Sequence, residues 1–177
     1  AVDATRRRAA ADALLPALRG LLGRPRPVVL HLDDSEEARR FADSELAKQI
    51  HRRGMATPEH ILRCGRTPCY VDAPLASLPR EEALSRLRQS VELFESDTRQ
   101  SFQKHGRGGD PAHPLPRVIL LPGIGLVAAG PHKRAAESAA EGYRQVIRVI
   151  ELAETVDQFR FLEEASAFEC EYWFPEL

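Results

Sequence analysis

The chain predicts an α/β layered domain, on three observations. Residues 117–130 hold four consecutive apolar residues, Val118 to Leu121, then a break at Pro122, Gly123 and Gly125, then a second short apolar run to Ala129. The first run reads as a strand buried on both faces, and the glycine break reads as a hairpin. Second, two long stretches, 80–104 and 131–157, carry apolar residues at spacings of three or four, the period of a helix face. Third, strand-like and helix-like segments alternate within one compact length. Strand order is not visible from pattern alone, but the Gly-Ile-Gly hairpin predicts at least one antiparallel pair.

Taken in order, residues 5–22 set Ala11, Leu14, Leu15, Leu18, Leu21 and Leu22 on one helical face, with Pro16 predicting a kink or restart. After the break at Gly23 to Pro27, Val28–Asp33 reads as a strand. Asp34 is the expected N-cap of a helix that buries Ala38, Phe41, Ala42, Leu46 and Ile50 and runs to Gly54. Thr57 and Pro58 signal a short helix ending at Gly65. Thr67–Asp72 reads as a strand and 73–79 as a loop.

The helix over 80–104 advances through Leu84, Leu87, Val91, Phe94, Thr98 and Phe102. Glycines and prolines make 105–114 a loop. The last helix is predicted to start at Gly130-Pro131, proline in its first turn, and to turn Ala136, Ala139, Ala140, Tyr143, Val146, Ile147, Ile150 and Ala153 inward. Residues 165–174, where Phe168, Cys170 and Tyr172 alternate with acids and Trp173 breaks the pattern, read as a strand.

A length of 177 residues predicts one domain able to close its own core. A net charge of −1 argues against a general nucleic-acid or membrane-surface binder, which needs a basic excess. The charge is uneven: residues 1–30 carry six arginines against Asp3 and Asp12, a net of +4, and residues 151–177 carry eight acids against Arg160, a net of −7. Solvated faces explain both. Three cysteines, Cys64, Cys69 and Cys170, with no signal peptide fit reduced thiols and a cytoplasmic location. No apolar run approaches the ~18 residues that span a bilayer. The start, Ala-Val-Asp-Ala-Thr, reads as an internal piece of something longer.

Three groups of residues invite chemistry. Gly123, Gly125 and Gly130 give G-x-G-x4-G, too long for a dinucleotide fingerprint and with strand-forming residues where a helix should open, so a tight hairpin is the better reading. His51, His60, Cys64 and Cys69 are of zinc-ligand type, but Cys64 and Cys69 lack a second matching pair, and His105 and His113 lack a third partner. His31 and Asp33, two apart on one strand, share a face and make two potential metal ligands.

These residues bring a family into view. Val29-Leu-His31-Leu-Asp33-Asp34 followed by a helix resembles the V-V-H-T-H-S strand of class II aldolase/adducin domains. Residues 118–130 resemble their V-L-L-x-N-H-G-L-x-x-x-G segment. Gly54-Met-Ala-Thr-Pro-Glu-His60, Pro116–Gly125 and Glu171-Tyr-Trp173 are similar to the aldolase region of bifunctional proteins in which a short-chain dehydrogenase follows, as in rhamnulose-phosphate aldolase/lactaldehyde dehydrogenase fusions. The resemblance covers about residues 6–177. It implies a three-layer α/β/α sandwich with a mixed or largely antiparallel sheet. One domain, 1–177, would comprise a helical segment (1–27), an aldolase/adducin-like core (28–157) and a lead-out toward a dehydrogenase (158–177).

In that family three histidines hold a divalent metal and a glutamate moves the proton. Carried over, the ligand positions are His31, Asp33 and Ile124, and residues 1–30 contain no glutamate. The dehydrogenase's Tyr-x3-Lys is not here either, since Tyr143 is followed at that spacing by Ile147. The resemblance therefore implies a degenerate module with a packing or assembly role and no cofactor of its own, zinc and NAD(P) belonging to the parent protein. The implied partners are other domains of the parent and further copies of the chain. Two alternatives are an altered site using His31, Asp33, Glu59 and His60, with Glu59 and His60 as an acid/base pair, and a nucleotide or sugar-phosphate site at the Gly123–Gly130 hairpin.

Overall fold

A computed structural model of the chain describes residues 3–105, 111 and 113–172. The order is α1 (Ala4–Leu22), β1 (Val29–Asp33), α2 (Glu36–Ala42), α3 (Glu45–Ile50), α4 (Pro58–Cys64), β2 (Cys69–Tyr70), a 3-10 turn (Leu75–Ser77), α5 (Arg80–His105), β3 (Val118–Leu121), β4 (Gly125–Gly130), α6 (Lys133–Val156) and α7 (Glu164–Glu171). The strands form one mixed sheet in the order β1-β4-β3-β2. β4 is antiparallel to both β1 and β3, and β2 runs parallel to β3. The predicted hairpin is the β3–β4 turn.

Side chains on a strand alternate between faces, and this period of two divides the core. Val118, Leu120, Leu126 and Ala128 pack with α2, α3, α4 and α6, where Phe41, Tyr143 and Ile147 are buried. Ile119, Leu121, Val127 and Ala129 pack with Leu14 and Leu18 of α1 and Leu87 and Val91 of α5. Every residue of β3 and β4 is buried. Helices on both faces explain why these strands read as continuous apolar runs. The architecture is the expected three-layer α/β/α sandwich with a mixed sheet.

Two glycines bring the backbones together. A Cβ at Gly125, whose φ is +143°, would stand 2.4 Å from the Asp33 carbonyl oxygen, and one at Gly130 would stand 2.6 Å from the Ala136 nitrogen. Such contacts forbid a side chain, so the hairpin's glycines serve close packing of β1 and α6.

Several elements differ from expectation. α1 runs unbroken through Pro16. Pro16 and Asp12, whose carbonyl loses its helical donor, both face solvent, so water can take the freed acceptor. The N-cap of α2 is Ser35 rather than Asp34, its hydroxyl accepting from the Ala38 N–H at 3.3 Å. The helix expected to reach Gly54 is two helices, because the chain turns extended at Ser44, whose hydroxyl accepts the Ala47 N–H at 3.0 Å and caps α3; beside this break Asp43 accepts the Gly123 N–H at 2.5 Å. α6 begins at Lys133 with His132 as cap, leaving Pro131 ahead of the helix.

β2 is paired over only two residues, and the 73–79 loop holds the 3-10 turn. Residues 164–171 are helical, not extended. There Phe168 and Tyr172, one helical turn apart, meet Phe102 of α5 at ring-centroid distances of 5.6 and 5.0 Å. That tertiary contact outweighs the local alternation. Trp173, the end of the Glu171–Trp173 string and most of the 105–114 loop lie outside the described residues. Among the described residues no helix is long and apolar enough to cross a membrane.

Candidate functional site

β1 lies at one edge of the sheet, with His31 opposite Ala128 and Asp33 opposite Leu126. Both side chains therefore share the face covered by α6, as alternation predicts. Asp33 is only 8% exposed. Its Oδ1 accepts the Ser35 N–H at 3.0 Å, which fixes the chain as it turns from β1 into α2. Its Oδ2 faces Arg144 Nε of α6 at 3.3 Å. That contact is charge attraction without hydrogen-bond alignment, since Oδ2 has no hydrogen-bond partner among the described residues.

Ile124, the third family position, sits in the β3–β4 turn with 1% of its surface exposed. Its side chain joins the core under α1 and α5, on the opposite side of the sheet from Asp33. The three positions do not converge on a point, and a buried aliphatic side chain offers no lone pair. These residues do not suit a divalent metal.

Glu59 and His60 lie in the first turn of α4. Glu59 accepts from Arg63 Nε at 2.7 Å, and His60 Nδ1 is 3.0 Å from the Thr57 hydroxyl that caps the helix. No hydrogen bond or ion pair among the described residues joins them to His31 or Asp33. The zinc-type group is dispersed as well. Cys64 is in the core beside α6, with Sγ 3.5 Å from the Ala139 carbonyl, and Cys69 is in the core beside α5, with Sγ 3.6 Å from the Ser90 carbonyl. Burial pushes both thiols up to about 12, which disfavours the thiolate a metal requires. His51 instead stacks on the Tyr70 ring at 5.0 Å. Burial lowers its pKa, favouring the neutral ring. Among the described residues no group of three His, Cys, Asp or Glu is placed to hold a metal ion.

A concavity lies at the other edge of the sheet. A cleft of about 780 Å³ opens along β2, between the end of α3, the middle of α5 and the segment leading into α7. The Val71 N–H donates to the Leu120 carbonyl at 3.1 Å. Alternation in a parallel pair then turns the Tyr70 N–H and C=O away from β3, toward the cleft. Leu93 and Phe161 line it and are 51% and 43% exposed. Lys48 pairs with Asp72 at 2.9 Å and Arg52 with Asp97 at 3.8 Å. Of the residues lining the cleft, His51 and Cys69 are the two that the sequence marks as metal-ligand candidates. The rest come from segments far apart in the chain, and the Arg52-Arg53 pair before Gly54 was the one local hint.

Comparison with known proteins bears on the whole chain. Residues 9–177 match the family described as Aldolase class II, second domain. The chain is also 30% identical over 165 residues to Uncharacterized oxidoreductase YuxG of Bacillus subtilis (strain 168). That match takes in 93% of this chain and 24% of the relative, so the chain spans about a quarter of the relative's length. Together with the mixed sheet between two helical layers, the match over residues 9–177 shows that this chain belongs to the class II aldolase second-domain family.

Proposed function

We propose that this domain has no metal chemistry of its own and works as a packing and assembly module. Its setting would be a longer polypeptide that joins a sugar-phosphate aldolase region to a short-chain dehydrogenase. The observation that carries the reading is the state of Asp33: its carboxylate fastens β1 to the start of α2 and faces Arg144, while Ile124 points into the other half of the core. Asp33 thus serves the fold, and with Ile124 in the third position only His31 and Asp33 would remain, too few ligands for a divalent metal. The name of the longer relative, an oxidoreductase, is compatible with the dehydrogenase part of the proposal.

An assembly role is supported by the outer face of α6. Val149, Leu152 and Val156, at helical spacing, stand in water, Leu152 with 68% of its surface exposed. The flanking charges are already neutralised within the domain, Arg148 by Glu37 at 2.7 Å and Glu151 by Arg40 at 2.8 Å. The aliphatic stripe is thus left for another part of the polypeptide to cover.

Calorimetric titration of the chain with zinc tests the silent site. The expected result is no stoichiometric heat. One equivalent bound by the wild type and lost in His31→Ala would overturn the proposal and revive the altered-site alternative.

A further inference from the structure

We propose that the cleft along β2 binds an amphipathic organic anion, its flat apolar body between Leu93 and Phe161 and its anionic group, a carboxylate or a phosphate, on Arg53. The inference goes beyond the packing role and is independent of it, since it uses neither the family's ligand positions nor the α6 stripe.

The volume, about 780 Å³, falls in the range of small-molecule sites. Its exposed large apolar side chains come from two separate supports, α5 for Leu93 and the segment before α7 for Phe161. Both side chains would gain by covering, and a planar body inserted between them would remove both from water. The charges select the other half of the ligand. Lys48 and Arg52 have acidic partners in Asp72 and Asp97, and Arg66 is held by Glu171 at 2.5 Å. Arg53 lines the same cleft and has no acidic partner among the described residues. A guanidinium presents a planar fork suited to a carboxylate or phosphate.

The Tyr70 N–H and C=O, turned to the cleft, offer one donor and one acceptor to polar atoms on the ligand body. A peptide strand added to this edge would be the other way to use them. The residue two before Tyr70 on the same side is Pro68, however, which has no N–H to continue a ladder, so a small molecule fits the edge better.

The test uses the 177-residue chain and a fluorescent probe of this shape, 8-anilinonaphthalene-1-sulfonate. The expected result is one saturable site, weakened about tenfold by Arg53→Glu and several-fold by Leu93→Ser or Phe161→Ser. Arg53→Gln, a milder surface change, should weaken it in the same direction, and circular dichroism should match wild type for each variant. The uncharged counterpart, N-phenyl-1-naphthylamine, should bind about tenfold less tightly. Displacement by 1-naphthoate or by 1-naphthyl phosphate then distinguishes the two head groups. Unchanged probe affinity in both Arg53 variants, equal binding of the uncharged probe, or failure of both naphthyl anions to displace it would each overturn the proposal.

Discussion

Asp33 shows what a single side chain can and cannot disclose from its position. Alternation along β1 placed His31 and Asp33 on one face, and the structure keeps them there. The partners that give Asp33 its role were not legible, because Arg144 comes from a distant helix and the Ser35 N–H contact depends on the local turn. Removing the carboxylate leaves a cap donor without its acceptor and an arginine without its counter-ion. Asp33→Ala should therefore cost about 1–3 kcal/mol, read from urea unfolding midpoints. The cysteines make a second prediction at this scale. With Cys64 and Cys69 buried and held as thiols by desolvation, a thiol reagent at pH 8 should leave both unmodified in the folded chain and modify both after denaturation. Rapid labelling of either in the native state would contradict their placement.

Among elements, those with a long unambiguous period were legible. The β3–turn–β4–α6 unit and α5 stand where their apolar spacing placed them, to within a few residues at the ends. Where the reading failed, either a local cap or a contact from elsewhere decides the structure. What looked like one helix is interrupted where Ser44 turns extended and caps α3, and beside that break Asp43 accepts the Gly123 N–H of the β3–β4 turn. Asp43→Ala should destabilise the fold by about 1 kcal/mol, with hydrogen exchange at the Gly123 amide accelerating more than that of the sheet amides.

The C-terminal helix was misread because its alternating acids resemble a strand, whereas the aromatic contacts to Phe102 require Phe168 and Tyr172 to lie one turn apart. Its first turn is anchored by Glu164, which accepts from Lys104 Nζ at 2.5 Å and Ser101 Oγ at 2.9 Å. The Lys104 hydrogen bond, then that of Ser101, lowers the Glu164 carboxyl to about 2. A carboxylate depressed in the folded state adds stability above its ordinary value of 4.5 and loses it as pH falls toward 2. Near-UV circular dichroism from the Tyr172 environment should fade through that window. Glu164→Gln, which removes the titrating group, should flatten this part of the profile, and solvent exposure of the pair keeps the effect modest.

For the molecule as a whole, the layered architecture followed from the order of elements, but the two sheet edges did not. The cleft at β2 is assembled from residues near 50, 70, 95 and 161, and hydrophobic periodicity reports only which face of its own element a residue occupies. The same limit hid the separation of His31 and Asp33 from Ile124, since strand order and turn geometry decide which side of the sheet Ile124 enters. The central claim, that the family's metal positions have become structural here, is tested most directly by thermal melts of wild type and Asp33→Ala with and without excess zinc. A bound ligand present at a hundred times its Kd would stabilise the fold by about 2.7 kcal/mol, several degrees for a domain of this size. The account predicts that zinc shifts neither melting temperature, while Asp33→Ala melts lower in both buffers. A rise in the wild-type melting temperature with zinc, absent in Asp33→Ala, would contradict it.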